Sequence, residues 1–238
     1  MPRKKSYTVE LLNVPHYRQG EFDCLCTYYT GAMMLTTMFP RYDYLFRSGW
    51  SQRSRTSKYF SDDPLMANFN PESKGNRKSE DHRLILSRWF SQGEYIEKVT
   101  EILNRIMSKE NKKTKFEYCQ ETGHDNTYYD TLVGSIDNGL PVMLGWGTHD
   151  YGYHAVLITG YRKRKERWLI MNDPGGNKHS EVSWDSLKKQ KTSNFEVGLC
   201  NSGSHKGIRP VKRVTDGQNS VVSQWTKNGW QNIDKNFD

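Results

Sequence analysis

The spacing of apolar residues divides the chain into a helix-rich first part and a strand-rich second part. Apolar residues recur at helical spacing in several segments, and Pro40 and Gly139 stand where two of these segments should end. The predicted helices cover about residues 26–38, 84–90, 95–107 and 128–138, with a brief one that Ser183 can cap. The predicted strands cover residues 116–120, 140–146, 153–161, 168–172 and 194–200. Helices followed by a sheet predict an α+β fold.

Composition divides the chain further. Residues 1–13 form a basic arm with a short extended piece, and residues 14–200 form the main domain. Within that domain, residues 41–80 are rich in Ser, Asn, Arg and aromatics with little periodicity, which is typical of an insertion. Residues 201–238 are rich in Gly, Ser, Asn and Lys, so we expect a C-terminal extension.

The balance of charge favours anionic partners without defining a site for one. Lys and Arg outnumber Asp and Glu by 35 to 27, which gives a net charge of +8. The basic clusters lack interleaved aromatic residues, so nucleic-acid binding is not expected. No apolar run is long enough for a membrane span, and no signal peptide is recognisable. We therefore expect a soluble protein that acts in the cytoplasm or is exported by a specialised secretion system.

Two thiols near the start of the first predicted helix are candidate nucleophiles. A thiol reacts as the thiolate, which a helix N-terminus and a neighbouring imidazolium stabilise. Cys26 can occupy the first helical position, whereas Cys24 belongs to the preceding loop, so Cys26 is favoured and Cys24 stays open. The side-chain amide of Gln19 and the N–H of Cys26 could together form an oxyanion hole. Taken alone, a free cysteine is more often a small buried apolar residue.

A histidine and a carboxylate in the second half of the chain could complete the chemistry. If the strands 153–161 and 168–173 join through a two-residue turn at 163–164, His154 lies opposite Asp173. A carboxylate beside an imidazole fixes its tautomer and favours its cation. Asn172 is the competing orienting residue, and His149 is the competing base. The other histidines lack ligand spacing, so no metal and no cofactor are expected.

Two blocks of the sequence resemble a known family. The segment VPHYRQG at 14–20, with Cys26 seven residues after Gln19, is similar to the opening of the AvrRpt2-like cysteine proteases and the wider C39-like peptidases. The residues around His154 and Asp173 are similar to the second block of that family. The separation of Cys26 and His154 is close to the roughly 130 residues typical of papain-like enzymes.

The resemblance implies a papain-like cysteine protease fold, with an N-terminal helical lobe packed on a C-terminal antiparallel sheet lobe. It implies a cysteine peptidase in which Cys26, His154 and Asp173 are a triad, Gln19 lies in the oxyanion hole, and the substrate is a protein or peptide. The AvrRpt2-like proteases are secreted bacterial effectors, so the resemblance also implies that role. The same triad would serve a peptidoglycan amidase, a deamidase or an acyl transferase. An inactive papain-like binding module is the alternative of another class.

Overall fold

The computed structural model describes residues 6–18, 26–40, 95–109, 114–120, 127–149, 152–163, 165–201, 210–226 and 228–233. In this part of the chain there are four helices and a large antiparallel sheet, an α+β architecture as predicted. The predicted insertion at 41–80 and the predicted helix at 84–90 lie outside the described residues. The helices are α1 (Cys26–Met38), α2 (Ile96–Lys109), α3 (Thr127–Asp137) and α4 (Trp184–Gln190).

The strands form one connected sheet in which every pairing described is antiparallel. They are β1 (Tyr7–Leu11), β2 (Lys115–Gln120), β3 (Val142–Thr148), β4 (Gly152–Lys163), β5 (Arg167–Asn172), β6 (Ser180–Ser183), β7 (Glu196–Asn201), β8 (Val211–Asp216), β9 (Asn219–Thr226) and β10 (Gly229–Asn232). Their order is β10-β9-β8-β1-β4-β3-β7-β2, while β5 and β6 continue from β4 as a branch.

The long strand β4 is the hub of the sheet. Its first half pairs with β3 and its second half pairs with β1, while β5 pairs along the opposite edge. The backbone of one strand offers only two edges, so three partners require the sheet to branch at β4. His154 therefore lies on a strand whose position several neighbours fix.

Helix α1 is the central core helix. Its sequence, CTYYTGAMMLTTM, has no charged residue, and every residue except Thr37 is buried. A helix that is apolar all round must be covered on all sides, and α1 contacts β4, β3 and α2. The start and end predicted for this helix are confirmed, and Cys26 is its first residue.

The segments on either side of the predicted main domain also supply strands. Strand β1 lies between β4 and β8, and β8 to β10 extend the sheet beyond it. Val9 of β1 is fully buried, and Val211 of β8 is almost so. The sheet therefore includes strands from before residue 14 and from after residue 201.

Candidate active site

The first candidate residue, Cys26, lies at the buried N-terminal end of α1. Its side chain is 4% exposed. The sulfur lies 4.0 Å from the backbone oxygen of Tyr153 and 3.9 Å from the hydroxyl of Thr27. The N–H groups of the first turn of a helix have no partner within the helix, so this end attracts negative charge. Cys26 thus occupies the position at which a helix best stabilises a thiolate.

His154, the second candidate, lies two residues after the start of β4 and points to the same side of the sheet as Trp146. The two residues are direct cross-strand partners. Their rings meet edge to face with centroids 5.4 Å apart. Trp146 is 4% exposed and covers one side of the imidazole.

The structure brings the carboxylate of Asp173 to this imidazole. The distance between His154 Nε2 and Asp173 Oδ1 is 3.0 Å. The same oxygen accepts a hydrogen bond from the N–H of Gly175 at 2.9 Å. Burial alone would raise the pKa of Asp173, but the interactions with His154 and Gly175 outweigh it and lower the pKa. Asp173 is therefore ionised at neutral pH and can only accept, so Nε2 of His154 donates.

His154 is correspondingly stabilised as a cation. Burial alone would lower its pKa, but the hydrogen bonds and charges of Asp173 and Cys26 outweigh it and raise the pKa to about 9. Because Nε2 is bonded to Asp173, Nδ1 is the ring nitrogen left to exchange a proton with the thiol. This arrangement can hold a thiolate and an imidazolium side by side.

The register that led to this pairing was wrong, although the contact forms. Strands β4 and β5 pair Lys163 with Arg167, so the connection is longer than the expected two-residue turn. The register shifts again between Ile158 and Gly160, and β5 ends at Asn172. Asp173 therefore reaches His154 from the loop after β5 and not as a cross-strand partner.

Neither competing residue occupies a comparable position. Asn172 is fully buried and faces elsewhere: its side-chain amide donates to the oxygen of Pro15 at 3.0 Å and accepts from the N–H of His179 at 3.2 Å. His149 is exposed just after the end of β3. Asn172 is the last residue of β5 and its side chain is held by these two bonds, whereas Asp173 lies in the following loop and reaches the imidazole.

Gln19 and Cys24 lie outside the described residues, but the segment directly before Gln19 is well anchored. The oxygen of Pro15 accepts the bond from Asn172, and His16 Nε2 lies 2.8 Å from the backbone oxygen of Asp173. Two residues after His16, the side chain of Arg18 donates to Oδ1 of Asn177 at 3.3 Å. Three bonds thus hold residues 15–18 against the end of β5 and the loop that carries Asp173.

Sequence reasoning missed a second carboxylate near the site. Glu196, at the start of β7, is 7% exposed, and its Oε2 accepts from the hydroxyl of Tyr153 at 2.9 Å and from the N–H of Ile96 at 3.1 Å. The signal available was an acidic residue inside the apolar run FEVGLC. An acidic residue on a predicted buried strand indicates either an exposed face or a specific buried partner.

Two features concern only the residues that the structure describes. No group of three or more His, Cys, Asp or Glu side chains in this part of the chain could hold a metal ion. None of its helices is long and apolar enough to cross a membrane.

The fold and the site together define a class of protein. A sulfur at a helix N-terminus, beside an imidazole bound to a carboxylate, supplies the side-chain types that nucleophilic catalysis by cysteine requires. The family model described as Peptidase_C39 like family matches residues 11–197, and the chain belongs to this family. Membership supports a peptidase of the cysteine type. No curated protein matches the chain at a significant level.

Proposed function

We propose that the protein is a papain-like cysteine peptidase that hydrolyses peptide bonds with Cys26 as nucleophile, His154 as base and acid, and Asp173 as the residue that orients His154. The observation that carries the proposal is the bond between His154 Nε2 and Asp173 Oδ1, with Cys26 interacting with the same imidazole. Helix α1 would belong to the helical lobe and β4 to the sheet lobe. The AvrRpt2-like resemblance and a role as an exported effector belong to this proposal as well.

The proposed reaction uses the sulfur of Cys26 and Nδ1 of His154, the ring nitrogen that does not bind Asp173. Cys26 transfers its proton to Nδ1 of His154, and the thiolate attacks the carbonyl carbon of the scissile amide. The resulting oxyanion accepts hydrogen bonds from the N–H of Cys26 and the side chain of Gln19. His154 returns the proton to the leaving amine as the carbon–nitrogen bond breaks. Water, deprotonated by His154, then hydrolyses the thioester to the acid and restores the thiol.

Trp146 has a supporting role in the proposal. Its ring lies against His154, so it would keep water from the bond between His154 and Asp173. Excluding water strengthens an electrostatic interaction by lowering the local dielectric constant. The hydrogen bonds that hold residues 15–18 keep the chain directly before Gln19 beside the loop that carries Asp173, which supports the role proposed for Gln19.

Rates of alkylation provide a test with an internal reference. Iodoacetamide is reacted with the folded protein at pH 6, and mass spectrometry quantifies each thiol. Cys119 is a free, exposed cysteine, so it serves as the surface reference. At pH 6 only about one in 300 ordinary thiols is ionised. Cys26 should therefore react at least about tenfold faster than Cys119, despite its burial.

Matched variants assign the reactive thiol. Cys26→Ala should abolish the fast alkylation, and Cys24→Ala should leave it intact. Fast labelling that persists in Cys26→Ala and disappears in Cys24→Ala would show that the wrong thiol was chosen. Equal rates at Cys26 and Cys119 in the wild type would contradict the proposal.

A peptidoglycan amidase is the second candidate, because the net charge of +8 suits a polyanionic cell-wall substrate. It would use the same residues and the same thioester. Mass spectrometry of digested cell walls decides between the two: released stem peptides favour the amidase, and cleaved protein substrates with intact walls favour the peptidase.

A further inference from the structure

The buried carboxylate of Glu196 has a local environment that simple packing does not explain. Its two hydrogen-bond donors in the described part of the chain, Tyr153 and the N–H of Ile96, are both neutral. Burial raises the pKa of Glu196, which is the expected consequence of removing a carboxylate from water without a cation. Apolar side chains of similar volume would fill the same space at lower cost.

The Tyr153–Glu196 cluster, which we define as Tyr153, Glu196 and the N–H of Ile96, joins three elements at one oxygen. Tyr153 belongs to β4, Glu196 to β7, and Ile96 is the first residue of α2. The fit is close, since a Cβ added at Gly145 would collide with the hydroxyl end of Tyr153 and with Ile96. The cluster therefore fixes the N-terminal end of α2 against the start of β4.

The positions of α1, which carries Cys26, and of β4, which carries His154, both depend on the Tyr153–Glu196 cluster. Tyr153 directly precedes His154, and its backbone oxygen is the atom that contacts the sulfur of Cys26. On the other side, α1 lies close against α2, because Gly31 leaves no side chain between the helix and Val99. A displacement of α2 would thus move α1, and a displacement of Tyr153 would move His154.

We propose that the Tyr153–Glu196 cluster is a positioning device that sets the distance between the sulfur of Cys26 and the imidazole of His154. The inference rests on the proposed function. Tyr153 and Glu196 do not touch substrate in this account; they act through the backbone of β4 and the end of α2. The requirement is a hydrogen-bond acceptor at position 196 and a hydroxyl at position 153, and not the negative charge itself.

Conservative variants separate positioning from stability. Tyr153→Phe removes only the hydroxyl and keeps the ring that meets Tyr95 edge to face at 5.0 Å. Glu196→Ala removes the acceptor, whereas Glu196→Gln retains one. The matched control is Tyr161→Phe, which removes a hydroxyl that donates to Asp137 at 2.8 Å. Tyr161 lies on β4 like His154, but about 23 Å further along the strand.

Two measurements on the whole protein keep this inference distinguishable from the proposed function. NMR titration of the His154 imidazole reports its contact with Cys26, and alkylation of Cys26 against Cys119 reports nucleophilicity. Tyr153→Phe and Glu196→Ala should each lower the midpoint of the His154 titration by about one pH unit. They should slow alkylation at pH 6 by at least about fivefold. Glu196→Gln should stay within about twofold of the wild type.

The Tyr161→Phe control shows what a loss of stability alone would do. Tyr161→Phe should lower the thermal unfolding midpoint but leave both the titration and the alkylation unchanged. A wild-type His154 titration in Tyr153→Phe, with the same loss of stability as Tyr161→Phe, would overturn the positioning role. If Cys26 proves unreactive in the wild type while Tyr153→Phe still shifts the His154 titration, the proposed function fails and the positioning role stands.

Discussion

Replacing Asp173 by Asn tests the electrostatic basis of the site, because this carboxylate lies 3.0 Å from His154 Nε2. The environment raises the pKa of His154 from 6.5 to about 9, which corresponds to about 3 kcal/mol in favour of the imidazolium. Asp173 and Cys26 share this effect against the opposing effect of burial. The variant removes one charge but keeps a side chain of the same size, so packing beside Gly175 should be preserved.

The expected result is a fall in the pKa of His154 by at least about one pH unit, measured by NMR titration of the imidazole. Since each 1.36 kcal/mol is a factor of ten, alkylation of Cys26 at pH 7 should slow by about 10-fold to 100-fold. Asp185→Asn is the control, because it removes an exposed carboxylate that pairs with Lys188 on α4. If His154 keeps a pKa near 9 in Asp173→Asn, the assignment of Asp173 is refuted.

Three further predictions test the surrounding structure. Gly31→Ala should destabilise the protein by about 1–3 kcal/mol in urea denaturation, because the added Cβ collides with Val99. Gly134→Ala on α3 places its Cβ in open space and should stabilise the protein by about 0.5–1 kcal/mol. A change of the same sign in both variants would contradict this packing. The pKa of His154 is raised on folding, so its contribution to stability is complete below about pH 6.5 and is lost as the pH rises through about 9. The stability difference between the wild type and His154→Ala should shrink over that range, and a constant difference would count against the ion pair. Asn172→Ala should cost about 2–4 kcal/mol, since two backbone partners lose their bonds, and an unchanged thermal midpoint would refute this structural role.

The helices and central strands could be predicted because their apolar spacing is strong. The apolar, uncharged run from Cys26 to Met38 ends two residues before Pro40, and the observed helix has these bounds. Ser183 also caps α4 as predicted, since its side chain accepts from the N–H of Ser186. In these segments local preference and tertiary packing agree.

The strands after residue 200 could not be predicted from composition, although one local signal was present. Strands β8 and β9 are rich in polar residues, and only some of their side chains are buried. Their two-residue turn consists of Gly217, with φ of +64°, and Gln218, and a glycine at the first central position is typical of such a hairpin. What stabilises these strands is the pairing of β8 with β1, a contact distant in sequence.

The candidate site was predictable in its residue types more than in its geometry. The pairing of His154 with Asp173 was inferred from a short turn, whereas the real connection is longer and β4 contains an irregularity after Ile158. His16, which contacts the backbone oxygen of Asp173 just after β5, belongs to a distant segment, and such a contact produces no periodic pattern in the sequence. Glu196 was missed for the same reason, because its partners come from two other elements.

The most direct test of the central claim is hydrolysis of a diverse peptide library, with new N-termini identified by mass spectrometry. The wild-type protein should generate new N-termini with a recurring sequence preference around the cleaved bond. Cys26→Ala and His154→Ala, both checked for cooperative unfolding, should generate none above background. Cleavage that continues in Cys26→Ala would contradict the claim that this sulfur is the nucleophile.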